Sequence, residues 1–355
     1  MGKKKRRNRK TVHKATKPSV KKTSPLEIQT FGELLELDIP VREDLITPWL
    51  REGESAMIYA AAGVGKSMYS LSLALTIAGG GSYLAWTAPK PRKVLLVDGE
   101  MHMDDIKSRS TMLLEKMEDL DHDLVRQNLH IISRQGQKAE VQFPDIAKAG
   151  GRREIEELAT NYDLIILDNL STLATIKNEN DAAAFTDIVK LLMRLKQCGI
   201  ACILVHHSGK GNNRSTYRGS SMLATTFEVI QGLTQLPDAR AANGTAFKLT
   251  WDKFRGKKDS SVMDSEIWLD EQGWHHEVAS NEELDLLVET AQSGMYSTQA
   301  QIAKALNWDT SKVSRMKTKA IAEELITEQE WKDCLAQARQ TAQPTAETLG
   351  FTATQ

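Results

Sequence analysis

The residues best placed to do chemistry are Lys66 and Ser67, which follow a run of small residues, Ala60-Ala61-Ala62-Gly63-Val64-Gly65. Small residues let successive backbone N–H groups wrap a polyphosphate; a lysine placed there reaches the β- and γ-phosphates, and the hydroxyl ligates Mg²⁺. Ala62, Gly63, Val64, Gly65, Lys66, Ser67 and Met68 are therefore the candidate nucleotide contacts, with ATP and Mg²⁺ as the implied cofactors. Ala60 stands where the common G-x-x-x-x-G-K-[ST] pattern has its first glycine, and alanine fits there if φ stays negative. The bland alternative is an alanine-rich strand-to-helix turn with an incidental Gly-Lys-Ser.

Two carboxylates sit just past apolar runs downstream. Lys93-Val94-Leu95-Leu96-Val97-Asp98 ends in Gly99-Glu100, and Asp163-Leu164-Ile165-Ile166-Leu167 ends in Asp168-Asn169. A carboxylate beyond the end of a parallel strand faces the ligand crevice. Glu100 is the candidate base that activates water, and Asp168 joins Ser67 as the candidate Mg²⁺-side pair. A third run, Ile200–Val205, ends in His206-His207-Ser208, so an imidazole is placed to hydrogen-bond a γ-phosphate; a satisfied structural histidine is the competing reading.

Two cationic features lie further on. The stretch 209–221 holds Lys210, Arg214, Tyr217 and Arg218 among glycines and serines without an acid, a composition suited to tracking a nucleic-acid backbone or to an ordinary solvated loop. Lys253 and Arg255 share a strand face by period two and can be aimed at a neighbouring subunit's nucleotide; a basic strand end in water explains them equally well.

The elements that must position these groups follow from patterning. The spacing predicts a strand before the phosphate loop and a helix over Lys66–Ala78, stopped by Gly79 to Gly81. The continuous apolar runs read as strands buried on both faces, and their alternation with helical segments predicts an α/β fold, a mostly parallel sheet with helices on both faces. Beyond Phe227 three more strand segments follow, the last two joined as a hairpin through Glu271-Gln272-Gly273.

Composition sets outer limits. The first 22 residues hold eleven of the 46 basic residues and no acid, so the remainder carries 35 basic against 47 acidic residues, a net −12. That arm, over 1–24, reads as a disordered tail, a nucleic-acid contact or a nuclear signal. No apolar run approaches the ~18 residues needed to span a bilayer, and three cysteines neither build a disulfide framework nor have zinc spacing. A soluble, cytoplasmic protein without a membrane partner is the expectation.

The character changes after 280. Thr298–Leu306, a turn at Asn307-Trp308-Asp309 and a helix to Leu325 have a helix-turn-helix pattern, a small C-terminal helical, winged-helix-like domain over 281–332. Lys312, Arg315 and Lys317 on the second helix are the candidate duplex contacts. A helical oligomerisation or partner-binding module is the alternative. From 333 the Ala-, Gln- and Thr-rich sequence reads as a flexible tail.

Taken in order, AAAGVGKS, VDGE, LIILDN, VHHSGK, YRGSS and DKFRGK resemble the RecA-like ATPases of the plasmid RepA replicative-helicase type, over roughly Trp49 to Val278. The resemblance implies a RecA-like ATPase domain, placed at 25–280, with Lys66 and Ser67 on nucleotide and Mg²⁺. It further implies Glu100 as general base, Asp168 on the Mg²⁺ side, His207 as γ-phosphate sensor and Lys253 and Arg255 as a finger acting across a subunit interface. A hexameric homo-oligomeric ring with single-stranded DNA in its channel, encoded by a prokaryote, phage or plasmid, comes with it. Glu228 departs from the family, which often places Asp there. The function expected is an ATP-dependent DNA helicase or helicase-like replication protein. The alternatives are an ATP-switched DNA-binding regulator and a RecA-type recombination or repair mediator.

Overall fold

The computed structural model describes residues 26–117, 119–176, 185–208, 221–236, 245–279, 282–323 and 325–341. The chain divides into two compact units, 1–41 and 42–355. In the first unit, helix α1 (Phe31–Glu36) starts at a capping box: Glu33 N–H donates to Thr30 Oγ1 at 3.2 Å and Thr30 N–H to the Glu33 carboxylate at 2.7 Å.

The second unit opens with the short pair β1 (Asp44–Ile46) and β2 (Leu50–Arg51), then β3 (Ser55–Ala60), which runs into the phosphate loop and α2 (Lys66–Gly79). After the hairpin β4 (Gly81–Tyr83) and β5 (Trp86–Ala88) come β6 (Val94–Asp98), α3 (Met103–Glu115), α4 (His122–Asn128), β7 (Leu129–Ser133) and α5 (Ala149–Ala159). Then follow β8 (Leu164–Asp168), α6 (Leu170–Leu173), α7 (Thr186–Gln197), β9 (Ala201–His207), α8 (Ser221–Thr226), β10 (Val229–Gln235), β11 (Thr245–Phe254), β12 (Ser265–Leu269) and β13 (Trp274–Val278). The described strands form a nine-stranded sheet in the order β13-β12-β11-β10-β3-β9-β8-β6-β7. From β10 to β7 all neighbours are parallel; β11 to β13 extend one edge antiparallel.

This is the α/β class expected, and the reason is visible residue by residue. Alternate side chains of the central strands feed opposite cores: Ala56, Ile58 and Ala60 of β3 join the layer holding α2, α3 and α4, while Met57 and Tyr59 join the layer holding α5 to α8. Strands buried on both faces must be apolar throughout, which is why their runs are unbroken. The α2 helix is apolar nearly all round and buries twelve of its residues. Around it the rings of Trp49, Tyr69, Tyr83, Trp86 and Trp251 pack edge to face.

Beyond the sheet, α9 (Glu282–Gln292), α10 (Gln299–Ala305), α11 (Thr310–Ala322) and α12 (Glu328–Thr341) share a core of their own, with Leu284, Leu287, Ile302, Val313 and Trp331 buried in it. Among the described residues here every regular element is helical. The α12 helix corrects the expectation of a flexible tail from 333. Its Trp331 and Leu335 pack into the cluster and Ala338 is buried, and the Ala- and Gln-rich composition that looked like a fraying end is a helix-forming one. The 342–355 part of that tail lies outside the described residues, as does the basic arm over 1–24.

Candidate nucleotide site

The phosphate loop ends at Gly65, the N-cap of α2, with φ +115°; a Cβ there would meet Thr245 Cγ2 at 2.7 Å. Both facts demand glycine at that position. Ala60 closes β3 without positive φ, since among the described non-glycine residues only Leu84 and Asn307 have it, so its replacement of the first loop glycine is unstrained. The first turn of α2 has neither a side-chain cap nor an acid, which leaves its N–H groups and the positive end of its dipole turned toward the loop.

Lys66 is buried. Its Nζ donates to the carbonyls of Ala60 at 3.1 Å and Ala61 at 2.9 Å, and lies 3.3 Å from His207 Nδ1. Burial pushes its pKa down, against the opposing pull of Asp168 and Glu100. Asp168, also buried, accepts from Ser70 Oγ at 3.1 Å and interacts with the Ser67 hydroxyl. Burial, then the neighbouring Asp98 charge, lifts its pKa to about 6. The peptide from Asp168 to Asn169 is cis.

Glu100 is exposed at the tip of β6, where two neighbours orient it. Asp98 Oδ1 accepts the N–H groups of Glu100 at 2.8 Å and Met101 at 2.6 Å, and Asn169 Nδ2 donates to Glu100 Oε2 at 2.6 Å. Glu100 and Asn169 line one cavity of about 540 Å³ with Lys66, Ser67, Asp168, His207, Arg109 and Thr245, and Asp98 is buried behind them. Val64, counted among the loop contacts, is turned into the core instead, 4% exposed, so its side chain is packing and only its backbone serves the loop.

The cavity fits a nucleoside triphosphate with Mg²⁺ on three grounds: the uncapped N-terminus of α2, a buried lysine hydrogen-bonded to loop carbonyls and an imidazole, and a buried Asn169 Oδ1 that accepts no hydrogen bond among the described residues. Hard oxygen donors from Ser67 and Asp168 suit Mg²⁺, which keeps several waters and takes phosphate oxygens for the rest.

Lys253 and Arg255 are not brought here. The register sets Lys253 opposite Ile230, which pairs with Met57, and backbone bonds set Arg255 beside Glu228 at Ser55, so the pair lies toward the start of β3, about 10 Å (Lys253) and about 16 Å (Arg255) along the strand from Ala60, where the phosphate loop begins. Lys210, Arg214 and Arg218 lie outside the described residues. On α11, Lys312 pairs with Glu283 at 2.7 Å and lies over the Trp308 ring, Lys317 pairs with Glu328 at 2.9 Å, and Arg315 is exposed. Asp98, Asn169, Arg109 and Thr245 are site residues that sequence reasoning did not single out. Asp98 and Asn169 sit inside quoted motifs; Arg109, on the second turn of α3, and Thr245, on an antiparallel strand, carry no local signal.

Fold and site together define a P-loop nucleoside triphosphatase. A family profile for an AAA domain matches residues 21–213, more than half of the chain, and the chain belongs to that family. Among solved structures, the RadB recombinase is similar at 13% identity with a TM-score of 0.43, covering 63% of this chain and 90% of that one. A KaiC-like protein from Pyrococcus horikoshii OT3 is similar at 13% identity with a TM-score of 0.46, covering 66% of this chain and 93% of that one. No curated protein matches by sequence. No described helix is long and apolar enough to cross a membrane.

Proposed function

We propose that the chain hydrolyses ATP in this cavity and couples hydrolysis to action on DNA, as a helicase or helicase-like replication protein assembled from several copies. The observation that carries the catalytic half is the convergence on one cavity of Lys66, Ser67 with Asp168, and a Glu100 fixed by Asp98 and Asn169. In that geometry Glu100 accepts the proton of the attacking water. Lys66 leaves the loop carbonyls for the phosphates, and His207, freed of the ammonium, hydrogen-bonds the γ-phosphate. Mg²⁺, when bound, neutralises charge on the phosphate oxygens beside Ser67 and Asp168. Lys253 and Arg255, too far away to serve their own cavity, complete the site of a neighbouring copy.

The DNA half rests on the motif series and on the basic stretch with Lys210, Arg214 and Arg218. ATP turnover of wild type and Glu100→Gln, with and without single-stranded DNA, together with unwinding of a forked duplex, tests it. Wild-type turnover stimulated by DNA and lost in Glu100→Gln is expected. Turnover with neither stimulation nor unwinding would remove the motor reading and leave the ATP-switched regulator or the recombination mediator.

A second reading applies to the helical segment. Residues 282–341 carry seven basic and ten acidic residues, and Lys312 and Lys317 are already ion-paired. Duplex readers present a basic face, so this segment reads first as a protein-docking module, with Arg315 an exposed cation on α11. Loss of duplex affinity on Arg315→Ala would return it to the DNA-reading role.

A further inference from the structure

The start of β3 holds a charged node that the nucleotide chemistry above does not use. Glu228 is 9% exposed and reaches three elements at once. Its Oε2 accepts the Ser55 N–H at 2.9 Å, and its Oε1 accepts from Lys196 Nζ at the end of α7 and faces Arg255 Nη1 at 3.4 Å. Backbone bonds reinforce the node: Glu228 N–H donates to Ser55 O at 2.9 Å, and Arg255 N–H to Glu228 O at 3.2 Å.

The second guanidinium edge is also held. Arg255 Nη2 donates to Thr225 O at 3.1 Å, and Lys253 Nζ donates to Ala224 O at 2.8 Å and to Thr225 O at 3.3 Å. Those carbonyls belong to the last turn of α8, where the helix cannot satisfy them and cations are favoured. Arg255 is thus gripped on two edges while its side chain stays 56% exposed. What sets Arg255 apart from the half-exposed Arg42 and Arg51 is that it is a guanidinium held by a carboxylate on one edge and a helix-end carbonyl on the other. One pinned yet open has lost its rotamer freedom in advance and offers its remaining N–H groups to an anion arriving from outside.

We propose that Glu228 is the positioning residue of the Lys253–Arg255 pair, holding the Arg255 guanidinium outward at the angle at which it meets the γ-phosphate of a nucleotide bound to a second copy of this chain. The assignment rests on the composite site proposed above. Glu228 does not touch the nucleotide; it acts through Arg255, and through Ser55 it ties that cation to the strand that carries its own chain's phosphate loop.

Subunit mixing tests it. Glu228→Gln keeps an oxygen for the Ser55 N–H and removes the charge that holds Arg255. Alone it is expected to lower kcat about tenfold while KM for ATP stays within about twofold. Lys66→Ala subunits have no working cavity of their own but an intact Arg255. Mixed in equal amounts with Glu228→Gln subunits, in assemblies whose mixed composition is verified by mass, they are expected to raise turnover above the sum of the two separate preparations.

Arg255→Ala, mixed in the same way, is the control for the reading underneath. No recovery there overturns the composite site itself. Recovery for Arg255→Ala but none for Glu228→Gln overturns only the role of Glu228, because the defect would then lie in its own chain's cavity. Lys196→Met covers the case in which Glu228→Gln fails to fold. With the competing ammonium gone, kcat equal to or above wild type is expected, and a tenfold fall would show that the carboxylate serves the end of α7 rather than Arg255.

Discussion

The two ends of the central sheet handle charge in opposite ways. At the end where β3, β6, β8 and β9 finish, binding capacity is left over: the first turn of α2 is uncapped, Lys66 folds back onto loop carbonyls, and Asn169 Oδ1 accepts nothing among the described residues. At the end where the same strands begin, charges are matched within the chain. Arg92 meets Glu43 and Glu52, Arg51 meets Asp44, Arg42 meets Glu54, and Glu228 collects Lys196 and Arg255. An end with unmet donors is built to receive a ligand. An end with matched pairs and half-open arginines is built to hold its shape and to present what it holds.

The largest effect that would break this contrast lies at Lys66. Lys66→Ala is expected to lower ATP turnover by at least about a hundredfold, since the buried ammonium of the cavity is lost; turnover near wild type in a coupled assay would mean that the cavity is not the hydrolytic site. Gly65→Ala comes next. Its Cβ strikes Thr245 and its φ is left-handed, so a loss of about 1–3 kcal/mol in stability, with nucleotide affinity weakened about tenfold or more, is expected from chemical unfolding and fluorescent-nucleotide titration.

A smaller effect has a definite sign. The native Asp168 carboxyl, at about 6, holds its proton to higher pH than an unfolded one at 3.8, so its contribution to stability falls as pH rises through that window and stays unfavourable above it. Asp168→Asn, without nucleotide or Mg²⁺, is therefore expected to melt a few degrees higher than wild type at pH 7.5, with the difference vanishing below about pH 4. An equal or lower melting temperature at pH 7.5 would show that Asp168 is not held under this penalty. The smallest effect is at the matched end. Arg51→Ala removes a half-exposed pair with Asp44 and is expected to cost no more than about 1 kcal/mol, whereas a cost of several kcal/mol would mean that these pairs build the fold rather than tune its surface.

Much of the hydrolytic end was legible because its signals are local. Lys66 and Ser67 follow their glycines within one turn, and Glu100, Asp168 and His207 each stand at the end of an apolar run whose burial on both faces forbids polar residues until the strand is over. The supporting groups were not legible. Asn169 reaches Glu100 across 69 positions of sequence, and Thr245 arrives on a strand whose antiparallel pairing with β10 no local pattern sets. The α11 helix itself was legible, but the acids that pair with its Lys312 and Lys317 come from α9 and α12, and α12 was hidden by a composition rich in alanine and glutamine.

By itself the sequence determined the phosphate loop, the fold class and the carboxylates at the strand tips, because strand burial, glycine conformation and helix starts depend on neighbours a few residues away. Only the tertiary structure decided which groups share a cavity. It joined Lys66 to His207 and Glu100 to Asn169, and it sent Lys253 and Arg255 to the far end of the sheet against Glu228 and the last carbonyls of α8. Those outcomes follow from strand order and register, which bring together residues that no spacing along the chain relates.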